Sequence, residues 1–323
     1  MAILENEKQR RASLKEILKQ LKQRLVQYGE QICNGVTISA GKVYYTQGST
    51  EKVTQQLQED IEALLSNSTQ SMWNKGSEDT EEYLKKHTTQ AIQASWQPVV
   101  SYDSTSEAYK AFADRKEKGM NLSKRVWNLT KQYQKEIEQA VETAVKNGSS
   151  AYNLSTKVRQ YLNNYNLFYK DAIEQGTTPR RVSHNIQNKA IRLARTEINM
   201  AYRKAENNRY NSEWFVVGYE IHTSGTHTPD DNDICEKLAG KYPKDFVWSG
   251  WHPNCKCYQT PILCSRDEMD AYDGTANTIC TNSKNAVTSL PSNFNSYMKS
   301  KGSYIRKSKP YFYRDNKNLI DGR

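Results

Sequence analysis

Leu14, Leu18, Leu21, Leu25, Tyr28 and Ile32 recur at alternating steps of four and three. That repeat, of about 3.5 residues, is the seam of one helix packed along another and predicts a helix over 10–32, closed by Asn34-Gly35. Val53, Leu57, Ile61, Leu64, Ser68 and Met72 form one stripe and predict a second helix over 51–73, with Thr50 as its cap. The acidic run Glu78-Asp79 and Glu81-Glu82 suits the positive end of a third helix, over about 78–96, stopped by Pro98.

The spacing predicts helix again over 104–147, broken around Gly119. Its inward stripe is Val126, Leu129, Tyr133, Ile137, Ala140, Val141 and Ala144, and Asn147-Gly148 is the stop. A serine-capped helix with Leu154, Val158, Tyr161 and Leu162 inward follows, and 163–183 reads as a connection. The stripe Ile191, Ala194, Ile198, Ala201, Tyr202 and Ala205 predicts a helix over 184–210. Arg192, Arg195, Glu197 and Arg203 lie off it, and Arg195 and Glu197 read as structural polar contacts.

After residue 212 the texture changes. "WFVVGYEIHTS" reads as a strand, "GTHTPDDND" as a polar loop and "ICEKLAGKYP" as a short helix. "DFVWSG" and "CKCYQTPIL" read as strand pieces around the turn "HPN". The expected fold is therefore mainly α. A long-helix region (1–183) precedes a small α+β, zinc-binding-like unit (184–265), and an extended basic, aromatic tail (266–323) follows. From Lys299 on, eight Lys/Arg stand against two Asp, with Tyr304, Tyr311, Phe312 and Tyr313 interleaved. Such a segment is expected to lie as an arm on a neighbouring subunit, or else to grip a phosphate backbone.

Only 36% of residues are apolar and mean hydropathy is −0.89, which favours solvent-facing helices or stabilisation within an assembly. No apolar run approaches the ~20 residues that span a bilayer, and the charged N-terminus lacks a signal-peptide core. Synthesis in a reducing cytoplasm is expected, where clustered cysteines serve as thiols or metal ligands rather than disulfides. The formal charge of +10 suits a polyanion or an acidic protein surface.

Five of the six cysteines fall between residues 235 and 280. His252-x-x-Cys255-x-Cys257 places three good ligands in six residues. Pro253-Asn254 favours a tight turn, and an extended Cys255-Lys256-Cys257 points both thiols to one side. Cys235 completes a candidate Cys3His zinc site. His227 competes as fourth ligand, and two or three reduced, half-buried thiols without metal are the plain alternative. Asp233 is a candidate to orient a ligand histidine, His222 reads as a half-buried strand residue, and Cys264 and Cys280 fall outside the site. An open, catalytic zinc would draw a carboxylate from Asp230, Asp231, Asp233 or Glu236, but a thiolate-rich site is usually structural.

In this order, "ARTEINMAYRKA", "DICEKLAGKY" and "HPNCKC" followed by "TPI" resemble the phage Mu F-like family, the minor head or head morphogenesis proteins of tailed bacteriophages. The resemblance covers about 184–265, with "NLSKRVW" and "GSSAYNLSTKVRQYL" similar to the helical lead-in. The pattern lands on Cys235, Gly240, His252, Pro253, Cys255 and Cys257. Lys256 replaces the usual Arg, Gly250-Trp251 the usual Pro-Pro, and Asn232 the first Cys of a Cys-x-x-Cys, which keeps His227 in play. The resemblance implies a virion protein without enzymatic turnover, made in the host and placed at the portal vertex or capsid interior. It would be oligomeric within that assembly, touch portal or capsid proteins and packaged DNA, and serve head assembly and DNA packaging or delivery. The competing readings are a zinc-dependent nuclease or delivered effector, and a zinc-bearing DNA-binding module.

Overall fold

The computed structural model describes residues 2–95, 103, 105–174, 185–224, 233–271 and 282–322. The protein is mainly helical, 68% helix against 9% strand among the described residues. In chain order it runs α1 (Ala2–Asn34), β1 (Val36–Ser39), β2 (Lys42–Tyr45), α2 (Ser49–His87), α3 (Gln90–Ser95), α4 (Glu107–Ala113) and α5 (Leu122–Lys146). A 3-10 turn (Ala151–Asn153), α6 (Leu154–Asn163), α7 (Tyr165–Glu174), α8 (Ile186–Ser212), β3 (Val216–His222), α9 (Ile234–Lys237) and β4 (Gly240–Tyr242) follow. The chain ends with β5 (Tyr258–Leu263), α10 (Arg266–Asp270), α11 (Ser292–Ser308), α12 (Tyr311–Asp315) and α13 (Lys317–Asp321). Among the described residues no helix is long and apolar enough to cross a membrane.

The contacts divide the chain into two units. The helical unit comprises Ser13–Asn67 and Asp114–Arg195. The leucine stripe of α1 is buried as its period requires, as is that of α5. At Gly29 a methyl group would lie 2.9 Å from both Tyr133 Oη and Val158, so glycine lets α5 and α6 close on α1. The buried Glu136 carboxylate accepts from Tyr161 Oη (2.7 Å), the Ile186 amide (2.9 Å) and Lys189 Nζ (3.3 Å), which ties α5, α6 and the start of α8 together. α5 begins where expected: Gly119 adopts φ +78°, and the Asn121 side chain accepts from the Lys124 amide.

The mixed unit comprises Met1–Ala12, Ser68–Ala113 and Thr196–Arg323. Its antiparallel sheet has the order β4-β3-β5, with Tyr219 opposite both Tyr242 and Pro261. An aromatic cluster of Tyr242, Phe246, Trp248, Trp251, Phe294 and Phe312 forms its core.

Several expectations are overturned. α2 is one helix through 49–87, so the run Glu78–Glu82 lies in its interior rather than at a new N-terminus. Gly76, inside this helix, marks a crossing, because its missing Cβ would stand 2.6 Å from the Tyr202 carbonyl oxygen of α8. Thr50 lies inside the helix, buried, with its hydroxyl unpartnered, and caps nothing. Residues 165–174 form α7 rather than a connection, with Phe168 buried against Tyr161. The hairpin β1–β2, turned by Ala40-Gly41 at positive φ, has no counterpart in the sequence reading. "DFVWSG" is irregular, and the helix begun at Ile234 ends by Leu238 because 240–242 pair with β3.

The tail, from Ser292 on, is helical rather than extended. It is poor in aliphatics, but Phe294, Ile305 and Phe312 supply its apolar anchors and are buried in the aromatic cluster.

Gly76→Ala tests the crossing. Alanine in an unhindered helix interior stabilises by about 0.5–1 kcal/mol, whereas here overpacking against a backbone carbonyl should destabilise by about 1–3 kcal/mol, read by urea unfolding.

Candidate metal centre

The short helix α9 is fixed by Asp233, whose carboxylate accepts the Cys235 amide at 2.7 Å. This sets Cys235 facing inward, 1% exposed. The second ligand segment is a turn, closed by the Cys255 amide donating to the His252 carbonyl at 3.2 Å. Pro253 fixes φ at the second position and Asn254 takes φ +72° at the third, the requirement of a type II turn. Beyond it Cys255 is buried, Lys256 exposed and Cys257 buried, the alternation of extended backbone leading into β5.

These two segments bring Cys235, Cys255 and Cys257 together, with their Sγ atoms within 4.8 Å of one another. Cys235 and Cys255 are 3.8 Å apart. His252 Nε2 lies 3.0 Å from Cys235 Sγ, and its Nδ1 lies 2.8 Å from the Pro253 carbonyl. A carbonyl can only accept, so Nδ1 donates to it, and Nε2 is the ring nitrogen turned to the sulfur. His252, Cys235 and a carboxylate oxygen of Asp233 form a second triad within 4.8 Å. Cys235 is common to both triads. The three buried thiols are a set that can hold a metal ion.

The thiols share their protons unequally. Burial opposes ionisation of Cys255, yet hydrogen bonds from Cys235 and Cys257 and the charge of Arg203 hold its pKa well below the ordinary thiol value. Cys235, hydrogen-bonded with both neighbours and buried, is pushed up. At Cys257 the hydrogen bond with Cys235 lowers the pKa, but donation to Cys255 and burial outweigh it and raise it to about 12.

Helix α8 holds the turn. Thr196 Oγ1 accepts the Asn254 amide at 3.0 Å, and Asn199 donates to the Cys255 carbonyl at 3.2 Å. Arg203 is 2% exposed and donates to the carbonyls of Ser249 (3.1 Å), Cys255 (3.0 Å) and Cys257 (2.6 Å). Its guanidinium lies over the Trp248 ring, 4.6 Å from the centroid. Gly250 allows this approach: it sits at φ +127°, and a Cβ there would meet Arg203 Nη1 at 2.7 Å. From α1, Arg10 bridges Glu7 (2.7 Å) and Asn199 (2.6 Å). Trp251 is the aromatic floor, with ring centroids 5.4 Å from Phe312 and 5.6 Å from Tyr242.

Of the candidate ligands, Cys235, His252, Cys255 and Cys257 converge, while His227 lies outside the described residues. Asp230, Asp231 and Cys280 also lie outside them. Asp233 serves as the cap of α9. It does not orient His252 through Nδ1, which the Pro253 carbonyl already occupies. Glu236 is exposed, and Cys264 packs in a different apolar cluster with Phe215 and Met269. His222 bonds Thr260 Oγ1 at 2.9 Å and stacks on Tyr258, and burial lowers its pKa. Thr196, Asn199 and Arg203 carry the turn but were not among the sequence candidates. Their spacing of three and four, continued by Glu206 and Asn207, is a second helical stripe that is polar and was there to be read.

No family model, curated protein or solved structure matches the chain.

One turn beyond Arg203, Glu206 is buried and accepts from Gln259 at 3.1 Å. It lines a cavity of about 20 Å³ with Glu7, Asp79, Tyr202 and Gln259. Burial, then the charge of Glu7, raise its pKa to about 8 against the opposing pull of Arg10, Gln259 and Arg203. The folded state therefore keeps a proton that the unfolded state loses above the ordinary carboxylate pKa. Stability falls as pH rises from about 4.5 to about 8, by at most about 1.4 kcal/mol per pH unit. Glu206→Gln should flatten this slope, so the variant gains on the wild type as pH increases. Urea unfolding at a series of pH values reads the difference.

Proposed function

We propose that the chain is a structural minor head protein of a tailed bacteriophage. In this reading it contacts portal or capsid proteins, lies near packaged DNA, and carries a structural zinc in the Cys235/Cys255/Cys257 site with His252 as fourth ligand. The observation that carries the reading is spatial. The three motifs behind the Mu F-like resemblance are far apart in sequence yet meet at one place. "ARTEINMAYRKA" supplies Thr196, Asn199 and Arg203, "DICEKLAGKY" supplies Cys235, and "HPNCKC" is the turn they enclose. Accidental matches scattered over sixty residues would have no reason to interlock in this way.

The choice of zinc rests on the donor set and the sulfur spacing. Thiolates about 2.3 Å from a tetrahedral zinc are separated by about 3.8 Å, the spacing between Cys235 and Cys255. Thiolate-rich sets of this kind favour a closed structural site, since thiolates quench the Lewis acidity that catalysis needs. The charge of +10 supports a place beside nucleic acid.

Mass spectrometry of purified particles of the phage that encodes the chain is the test, together with elemental analysis of the recombinant protein. The reading expects a few copies per particle, recovery with the portal protein on co-expression, and about one zinc per chain. Particles that assemble and package DNA without the chain would contradict the head-protein role. Folded protein without zinc would remove the metal alone.

A further inference from the structure

The first half of α5 carries a basic face with an indole in it. Lys124, Trp127, Asn128, Lys131 and Lys135 are all exposed and stand three, four, seven and eleven residues from Lys124, so they share one side of the helix. Trp127 is 38% exposed, unusual for so large an apolar ring, and Lys124 Nζ sits 3.7 Å from its centroid. The preceding turn adds Lys116 and Lys118, both exposed. That turn is held by the paired backbone of Glu117 and Met120, and Asn128 Nδ2 reaches Met120 Sδ at 3.2 Å, which sets it beside the helix. Over 114–135 seven Lys/Arg face two acids. Among the described residues no carboxylate is within ion-pair distance of Lys116, Lys118, Lys124, Lys131 or Lys135. The face is bounded by acids: Glu62, bonded to Ser123 at 2.9 Å, flanks its start, and Glu138 and Glu142 follow it along α5. Unpaired like charge crowded round an exposed ring costs self-repulsion and apolar exposure, and contributes nothing to the core beneath.

We propose that this face binds single-stranded nucleic acid, with the lysines on phosphates and a base stacked on Trp127. The charge is complementary to a polyanion. Lys124 to Lys135 covers about 16 Å along the helix, the length of about five nucleotides at about 3.4 Å each. The indole favours a single strand, because a paired base has no free face to offer it. The inference rests on α5 and the turn before it and stands whether or not the chain is a head protein.

Fluorescence anisotropy of the full chain with a labelled oligothymidylate of about fifteen nucleotides tests it, over a range of salt. Five phosphate contacts predict a slope of log affinity on log salt of about −3.5. The combined variant Lys124→Ala, Lys131→Ala, Lys135→Ala should reduce that slope by about 2. Trp127→Ala should weaken binding by about 5- to 100-fold with the slope unchanged, and Trp127→Phe should restore most of it. All these positions are at the surface, and circular dichroism verifies that the variants remain folded. No binding at low salt, or binding that none of these variants alters, would overturn the proposal. Equal affinity for a duplex of the same length, or for polyglutamate, would overturn it as well.

Discussion

A buried guanidinium organises the mixed unit. Arg203 is withdrawn from water with no carboxylate bonded to it among the described residues, and its charge is met by three backbone carbonyls, an indole face and the cysteine cluster. Hydrogen bonds to a charged donor contribute about 1.5–3 kcal/mol each, and a buried charge stripped of them is costly. The carbonyls belong to Ser249, Cys255 and Cys257, so one side chain fixes both flanks of the His252–Cys255 turn. Other features follow from admitting it: glycine at 250, Trp248 beneath the guanidinium, and a helix whose polar residues face inward.

The thiols are unequal chiefly because they hydrogen-bond to one another. A cation beside Cys255 stabilises its thiolate, and the thiolate draws hydrogen bonds from Cys235 and Cys257. A metal ion needs deprotonated sulfur, and part of that electrostatic work is supplied by the fold. The aromatic floor keeps water away. Phe294 and Phe312, from the C-terminal helices, complete that floor around Trp251, so the end of the chain closes the mixed unit.

The sequence revealed regular amphipathic stretches well. The stripes of α1 and α5 are long, uninterrupted and bounded by Asn-Gly or a capping residue, and that of α6 is short but regular, although the Ser150 side chain caps nothing. It also revealed the ligand turn, because Pro-Asn before Cys-x-Cys permits few conformations. It failed where the deciding contact is distant. The pattern predicts two helices, over 51–73 and about 78–96, where α2 runs unbroken through 49–87 and its Gly76 meets the Tyr202 carbonyl. The tail looks extended because its three apolar anchors are isolated in sequence and gain meaning from a cluster elsewhere. Arg203 looks like surface charge beside an apolar stripe, since nothing local says that α8 is enclosed on its polar side too.

Amide hydrogen exchange on Arg203→Met tests most directly whether this arginine holds the site. Methionine fills similar space but supplies no donor. The amides of Trp248, Asn254 and Cys255 should lose about a hundredfold or more of protection, the equivalent of about 3 kcal/mol. Those of α5, in the other unit, should be unchanged and so report that the chain has not simply unfolded. Undiminished protection at Asn254 and Cys255 would contradict the account, and would mean that the turn is held by its own geometry and by the thiols alone.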